Sequence, residues 1–160
     1  MAAPRFDFGK VAPEALHLLL GFERYVHASG LDAKMIELVK MRASQINGCA
    51  RCLDIHSKDA LALGETAERL DCVAAWRDAP FYSAAERAAL ALTEAVTLVA
   101  NEGVPDDVYA EVRRQFGERQ TADLVVAINA INCWNRINVT ARSTVGDHKA
   151  GGHKRVAARE

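Results

Sequence analysis

Residues 32–56 read DAKMIELVKMRASQINGCARCLDIH, and the punctuation of this stretch decides the fold. Asp32 is a good N-cap, and Met35, Ile36, Val39 and Ile46 then fall on one helical stripe. Asn47-Gly48 ends that helix, because both residues tolerate the left-handed conformation that closes helices. A further helix opens at Cys49 and runs to about Leu63, where Gly64 stops it. The stretch therefore predicts two helices joined by a very short turn.

The same grammar extends in both directions. A helix follows Pro13 and runs to about Ala28, stopped by Gly30. Thr66 caps a short helix to about Arg77, and Pro80-Phe81-Tyr82 is a connector. Ser83-Ala84-Ala85-Glu86 is a capping box, in which hydroxyl and carboxylate each satisfy a free backbone amide. It starts an Ala-rich helix ending near Gly103. Pro105-Asp106-Asp107 starts the next, which Gly117 ends, and Thr121 caps the last, running to about Arg142. The four prolines and ten glycines fall mostly between these segments, and no run of strand-like alternation appears. The expected fold is an all-α, single-domain bundle of about six to seven helices over residues 1–145. Residues 146–160, basic from His148 to Arg159 and without apolar periodicity, read as a flexible tail.

A chain of 160 residues can bury a substantial core, and 50% hydrophobic with 26% charged residues is ordinary for a globular protein. A net charge of −1 provides no global attraction to nucleic acid or anionic membrane. Met1 to Lys10 carries charges without an apolar signal core, and Leu18-Leu19-Leu20 is too short to span a bilayer. The expected compartment is the cytoplasm, where four cysteines do not suggest a disulfide framework. A Cys-x-x-Cys pair there points to catalysis or metal binding.

Four residues stand out: Glu37, Cys49, Cys52 and His56. The spacing of the last three puts them on one helical face, within a ~60° arc. Cys49 falls in the first turn after Gly48, where unpaired amides and the helix dipole favour a thiolate. An imidazole four residues beyond Cys52 can move a proton near neutral pH. If the Asn47-Gly48 turn folds the helices together, Glu37 can orient or charge that imidazole. Glu37 lies off the centre of the apolar stripe, so it must reach the site between helices or be covered by another subunit. Arg51, between the cysteines, adds positive charge that helps ionise the thiols.

Zinc is the rival chemistry, since Cys49, Cys52 and His56 are three suitable ligands. A structural site needs a fourth, and no second Cys-x-x-Cys or Cys/His pair exists. Cys72 and Cys133, in apolar helical surroundings, read as packing residues. Asn129, Asn132, Asn135 and Asn138 recur every three residues on the last helix, a stripe able to pair with another helix, within the chain or across subunits. No Gly-rich dinucleotide loop, flavin or haem signature is present, so no cofactor is expected.

Glu37-x11-Cys49-x2-Cys52-x3-His56 resembles the core motif of the alkylhydroperoxidase D family, within the carboxymuconolactone decarboxylase-like superfamily. The lead-in from Met41 to Gly48, the segment from Ser83 to Ala95 and the closing run from Asn132 to Asn138 are similar to that family too. The resemblance covers roughly residues 15–142. It implies thiol-dependent hydroperoxide reduction or dithiol–disulfide exchange, in antioxidant defence, by a homotrimer or homohexamer. It also implies that Cys52 is the peroxidatic cysteine and that Cys49, nearer the surface, resolves it to a Cys49–Cys52 disulfide. Glu37 and His56 would form the proton relay. The implied partners are a hydroperoxide and an external dithiol, thioredoxin-like or lipoyl-linked. Ala50-Arg51 fills the gap where some members carry an extra histidine. Two other readings stay open: a metal-binding or redox-sensing protein using the same ligands, and a decarboxylase-like enzyme whose activity survives loss of both cysteines.

Overall fold

The computed structural model describes residues 3–150, which contain helices and no strand. The helices are α1 (Phe8–Val11), α2 (Pro13–Ala28), α3 (Ala33–Asn47), α4 (Ala50–Ala62), α5 (Ala67–Cys72), α6 (Ala84–Thr97), α7 (Val99–Glu102) and α8 (Asp106–Ala141), with a 3-10 turn at Val73–Ala75. Among the described residues no helix is long and apolar enough to cross a membrane.

Helix α3 is the axle. It packs on α4, α6 and α8, and every residue from Met35 to Met41 is buried. Its Ile36 and Val39 join Leu92 of α6 with Leu124 and Ile128 of α8 in the main core. Leu38 and Met41 face a second cluster built around Val73, Trp76 and Tyr82. Ala43 borders a third, smaller cluster with Cys49, Cys52 and Ile131. Alanines at the contacts, Ala88 and Ala89 on α6 and Ala127 and Ala130 on α8, let the helices approach closely. A helix buried on all sides is normally apolar all round, yet α3 carries Glu37 and Lys40, 2% and 0% exposed.

The ends of α3 follow the sequence. The Asp32 carboxylate accepts from the Met35 amide, and Gly48 closes the helix at φ 65°. That left-handed geometry is cheap only without a Cβ. It turns the chain so tightly that Cys49 is already the N-cap of α4.

Four details depart from the reading above. Asp7 caps an unexpected turn, α1, with its carboxylate on the Gly9 and Lys10 amides. The helix begun at Thr66 breaks after Cys72 into a 3-10 turn. The helix begun at Ser83 stops at Thr97, and α7 is a separate turn before Gly103. Thr121 is no N-cap: its hydroxyl donates to the Gly117 carbonyl from inside α8. The break itself is where the glycine predicts it, since Gly117 alone within α8 leaves helical geometry, at φ 68° and ψ −170°.

After α8 the chain reverses at Arg142, in left-handed geometry, and residues 143–148 lie along α4. The Gly146 amide donates to Asp54, Lys58 donates to the His148 carbonyl, and Arg51 pairs with Asp147 at 2.7 Å. Gly146, Asp147 and His148 of the segment read as a tail are thus fastened to α4. Its residues 151–160 lie outside the described residues.

Candidate active site

The short turn at Gly48 brings α3 and α4 side by side, and with them the four residues singled out by the sequence. His56 Nδ1 lies 2.8 Å from Glu37 Oε2, with both side chains buried. Cys49 and Cys52 are joined as a disulfide, with Cα atoms 5.3 Å apart. Glu37 needs no neighbouring subunit to reach His56, because α3 itself directs it into the α3–α4 interface.

Burial pushes the Glu37 carboxyl up, but the charge and hydrogen bond of His56, followed by the charge of Lys40, outweigh it. The carboxyl ends below its ordinary 4.5 despite opposition from Asp59. Glu37 is therefore a carboxylate at neutral pH and accepts the hydrogen bond. Nδ1 must then carry the proton, which fixes the tautomer and leaves Nε2 as the nitrogen that exchanges protons.

The dithiol is held from two sides. Cys49 Sγ accepts from the Cys52 amide at 3.3 Å, so its sulfur is the N-cap acceptor of α4. Cys52 Sγ accepts from Asn138 Nδ2 at 3.4 Å. The two cysteines are equally buried, each 1% exposed. By exposure alone the two do not differ, while Cys49 borders a cleft.

The asparagine stripe on α8 works within the chain. Asn47 Nδ2 donates to the side-chain oxygens of Asn132 and Asn135, at 2.8 and 2.9 Å. Asn135 in turn donates to Ser44, and Asn138 to the dithiol. Asn129 points outward and bonds its own helix at Val125. Three of the four amides thus pin the Asn47-Gly48 turn and the cysteines to α8.

Several site residues escaped the sequence reading. Lys40 Nζ lies 2.6 Å from Glu23 Oε2 of α2. Its signal was its register: Lys40 is four residues after Ile36, on the buried face. Asp59, one turn beyond His56, is bonded at 3.0 Å by His148 from the segment after α8. No periodicity could announce that contact. Arg51 was expected to add charge to the thiols, but its guanidinium is engaged by Asp147 and by the Thr144 carbonyl, so that charge is largely compensated.

Two clefts flank the dithiol helix. One of about 210 Å³ is bordered by Cys49, Arg51, Asn138 and Val145. A larger one of about 500 Å³ lies between Phe6, Phe8, Leu16, Trp134 and Ile137 and also reaches Arg51 and Asn138. Cys72 and Cys133 remain thiols, both half-buried, with Cys72 against the Trp76 cluster. Among the described residues no three His, Cys, Asp or Glu side chains are grouped so as to hold a metal ion.

A helical bundle that buries a Cys-x-x-Cys pair beside a Glu–His pair defines a class, and comparison with known proteins supplies its family. Residues 13–95 match the carboxymuconolactone decarboxylase family, and the chain belongs to it. It is 44% identical over 135 residues to the uncharacterized protein YdfG of Bacillus subtilis (strain 168), covering 84% of this chain and 92% of YdfG. The uncharacterized protein YnjA of Escherichia coli (strain K12) is 31% identical over 110 residues, 69% of this chain and 60% of YnjA. Among solved structures, a protein of unknown function from Agrobacterium tumefaciens, designated a candidate antioxidant-defence protein AhpD, superposes with a TM-score of 0.88. It is 40% identical, over 91% of this chain and all of that one. The debrominase Bmp8 shares the fold, with a TM-score of 0.76 at 20% identity over 84% of this chain and 73% of its own.

Proposed function

We propose that the protein is a dithiol peroxidase or dithiol–disulfide oxidoreductase working through Cys49, Cys52, His56 and Glu37. The observation that carries this reading is one juxtaposition. A Cys-x-x-Cys pair able to close a disulfide shares a buried helix face with an imidazole whose tautomer is fixed by an ionised carboxylate.

In the reduced protein the Cys52 thiolate attacks the distal oxygen of a hydroperoxide. The O–O bond breaks, sulfur is oxidised to sulfenic acid, and the departing alkoxide takes a proton from His56 and leaves as an alcohol. Cys49 thiol then attacks the Cys52 sulfur, the S–OH bond breaks, water leaves, and the disulfide closes. Two electrons have moved from the dithiol to the peroxide. An external dithiol, thioredoxin-like or lipoyl-linked, returns them by exchange. Glu37 steadies the imidazolium while it is charged. Asn138, donating to the Cys52 sulfur, favours its anionic form.

The test is a thiol count on reduced protein before and after one equivalent of cumene hydroperoxide. The expected outcome is loss of two thiols per chain, with peptide mapping joining Cys49 to Cys52. In Cys49→Ser the sulfenic acid at Cys52 becomes trappable, and in Cys52→Ser peroxide consumption stops. An unchanged thiol count would overturn the peroxidase reading.

A further inference from the structure

We propose that Lys40 and Glu23 are positioning residues for this site: a buried ion pair beside Glu37 and His56 that sets the charge against which those two residues and the cysteines work. The inference rests on the relay reading above only in taking His56 and the dithiol as the groups that exchange protons.

The first observation is burial. Lysine is almost never fully buried unless paired, and Lys40 is 0% exposed with its ammonium 2.6 Å from Glu23 Oε2. A buried ion pair is a poor device for stability alone, since apolar residues of similar volume commonly do as well. The second observation is place. Lys40 follows Glu37 by three residues on α3, so both project to one side of that helix, toward the layer where α2 and α4 meet it. The third is the set of charges gathered there. From α2 come Glu23 and, 3.8 Å from it, His27; from α3 Glu37 and Lys40; from α4 His56 and Asp59; and from the segment after α8 His148 on Asp59.

Three carboxylates and one ammonium leave that group at −2 before any imidazole is protonated. Without Lys40 the negative charge of Glu23 would stand uncompensated in a buried layer shared with Glu37 and His56, and its field would oppose ionisation of every acid in reach. With it, burial pushes Glu23 up but the charge and hydrogen bond of Lys40 bring its carboxyl below 4.5, and His56 adds to the effect. Both carboxylates stay ionised, and Glu37 remains a full acceptor for His56.

An electrostatic role makes a prediction of sign that a packing role does not. Removing a positive charge makes every nearby acid harder to ionise, thiol and imidazolium included, and removing a negative charge makes each easier. The experiment measures the iodoacetamide alkylation rate of the reduced dithiol against pH in a C72S/C133S background. Lys40→Met is expected to move the midpoint to higher pH by about one unit, slowing alkylation at neutral pH roughly tenfold. Glu23→Gln is expected to move it to lower pH, and the double variant K40M/E23Q to return it close to the parent. Opposite signs with cancellation support the proposal. Midpoints that stay in place while stability falls, or that shift the same way in both single variants, overturn it. If Lys40→Met does not fold, Glu23→Gln decides alone: a downward shift supports the proposal, and an unmoved or raised midpoint overturns it. Alkylation needs no peroxide turnover, so failure of the peroxidase reading and failure of this inference are separate results.

Discussion

Two carboxylate networks cross the bundle, and they differ in the partners they choose. Around Trp76 the partners are arginines and an indole. Glu94 is held by Arg42 at 2.8 Å, Arg77 at 2.6 Å and the Trp76 indole at 2.9 Å. Arg69 joins Glu65 and Glu86, and Arg87 donates to the carbonyls of Trp76, Arg77, Ala79 and Tyr82. Around the Glu37–His56 pair the partners are His56, Lys40 and His148. Arginine does not give up its proton in proteins, whereas imidazole does so near neutral pH. The first network can hold helices and a loop in place. The second can fix a helix pair and also move a proton.

The contrast breaks most visibly at His56. His56→Gln keeps a hydrogen-bonding side chain beside Glu37 but cannot exchange a proton. Peroxide-driven disulfide formation, followed by stopped-flow thiol loss, is expected to slow by about 10²- to 10⁴-fold with helicity retained. Arg87→Ala is the counterpart in the other network. It strips four loop carbonyls of a shared donor and is expected to destabilise the fold by about 2–4 kcal/mol in urea unfolding, leaving alkylation of the reduced dithiol unchanged. A changed alkylation rate in Arg87→Ala would mean the networks are not independent.

Acid sharpens the comparison at smaller amplitude. Burial raises the Glu94 carboxyl, but the hydrogen bonds from Trp76, Arg77 and Arg42 hold it below 4.5 overall. A carboxyl depressed on folding contributes stability above its unfolded value, and that contribution fades as pH falls through the folded one. The stability gap between the native chain and Glu94→Gln is therefore expected to be constant above about pH 5 and to close below pH 4.5, measured by urea midpoints. The smallest effect is expected for Asn138→Leu. Losing one donor to the Cys52 sulfur should slow alkylation at neutral pH by roughly three- to tenfold, without moving the unfolding midpoint by more than about 1 kcal/mol.

Much of the fold was legible because its boundaries are chemical. Asp32, Gly48, the Ser83–Glu86 box and Gly117 mark helix ends by side-chain oxygens or by the missing Cβ, and each behaves locally. Cys49, Cys52 and His56 were readable together because helix periodicity is fixed, and Glu37 because the Asn47-Gly48 turn leaves α3 and α4 adjacent. What the sequence hid depends on long-range neighbours. A lysine on a buried face is ambiguous until Glu23, seventeen residues earlier, is seen beside it. Asn138 could equally have faced solvent, and the contacts of residues 143–148 with α4 belong to a segment with no periodicity at all. The cap at Asp7 carries a local signal as well, an acidic residue before a glycine-containing turn.

The sulfur of Cys49 has a consequence for how such experiments are designed. It ends a helix as well as belonging to a redox pair, because it accepts the Cys52 amide at the start of α4. Serine is among the best residues at that position and alanine among the poorest. Cys49→Ser therefore removes the thiol and keeps the cap, whereas Cys49→Ala removes both and loosens the turn that orients Cys52. Two substitutions usually treated as interchangeable knockouts would here report different quantities, one chemical and one mechanical, and the difference between them isolates what the helix end contributes to the reactivity of its neighbour.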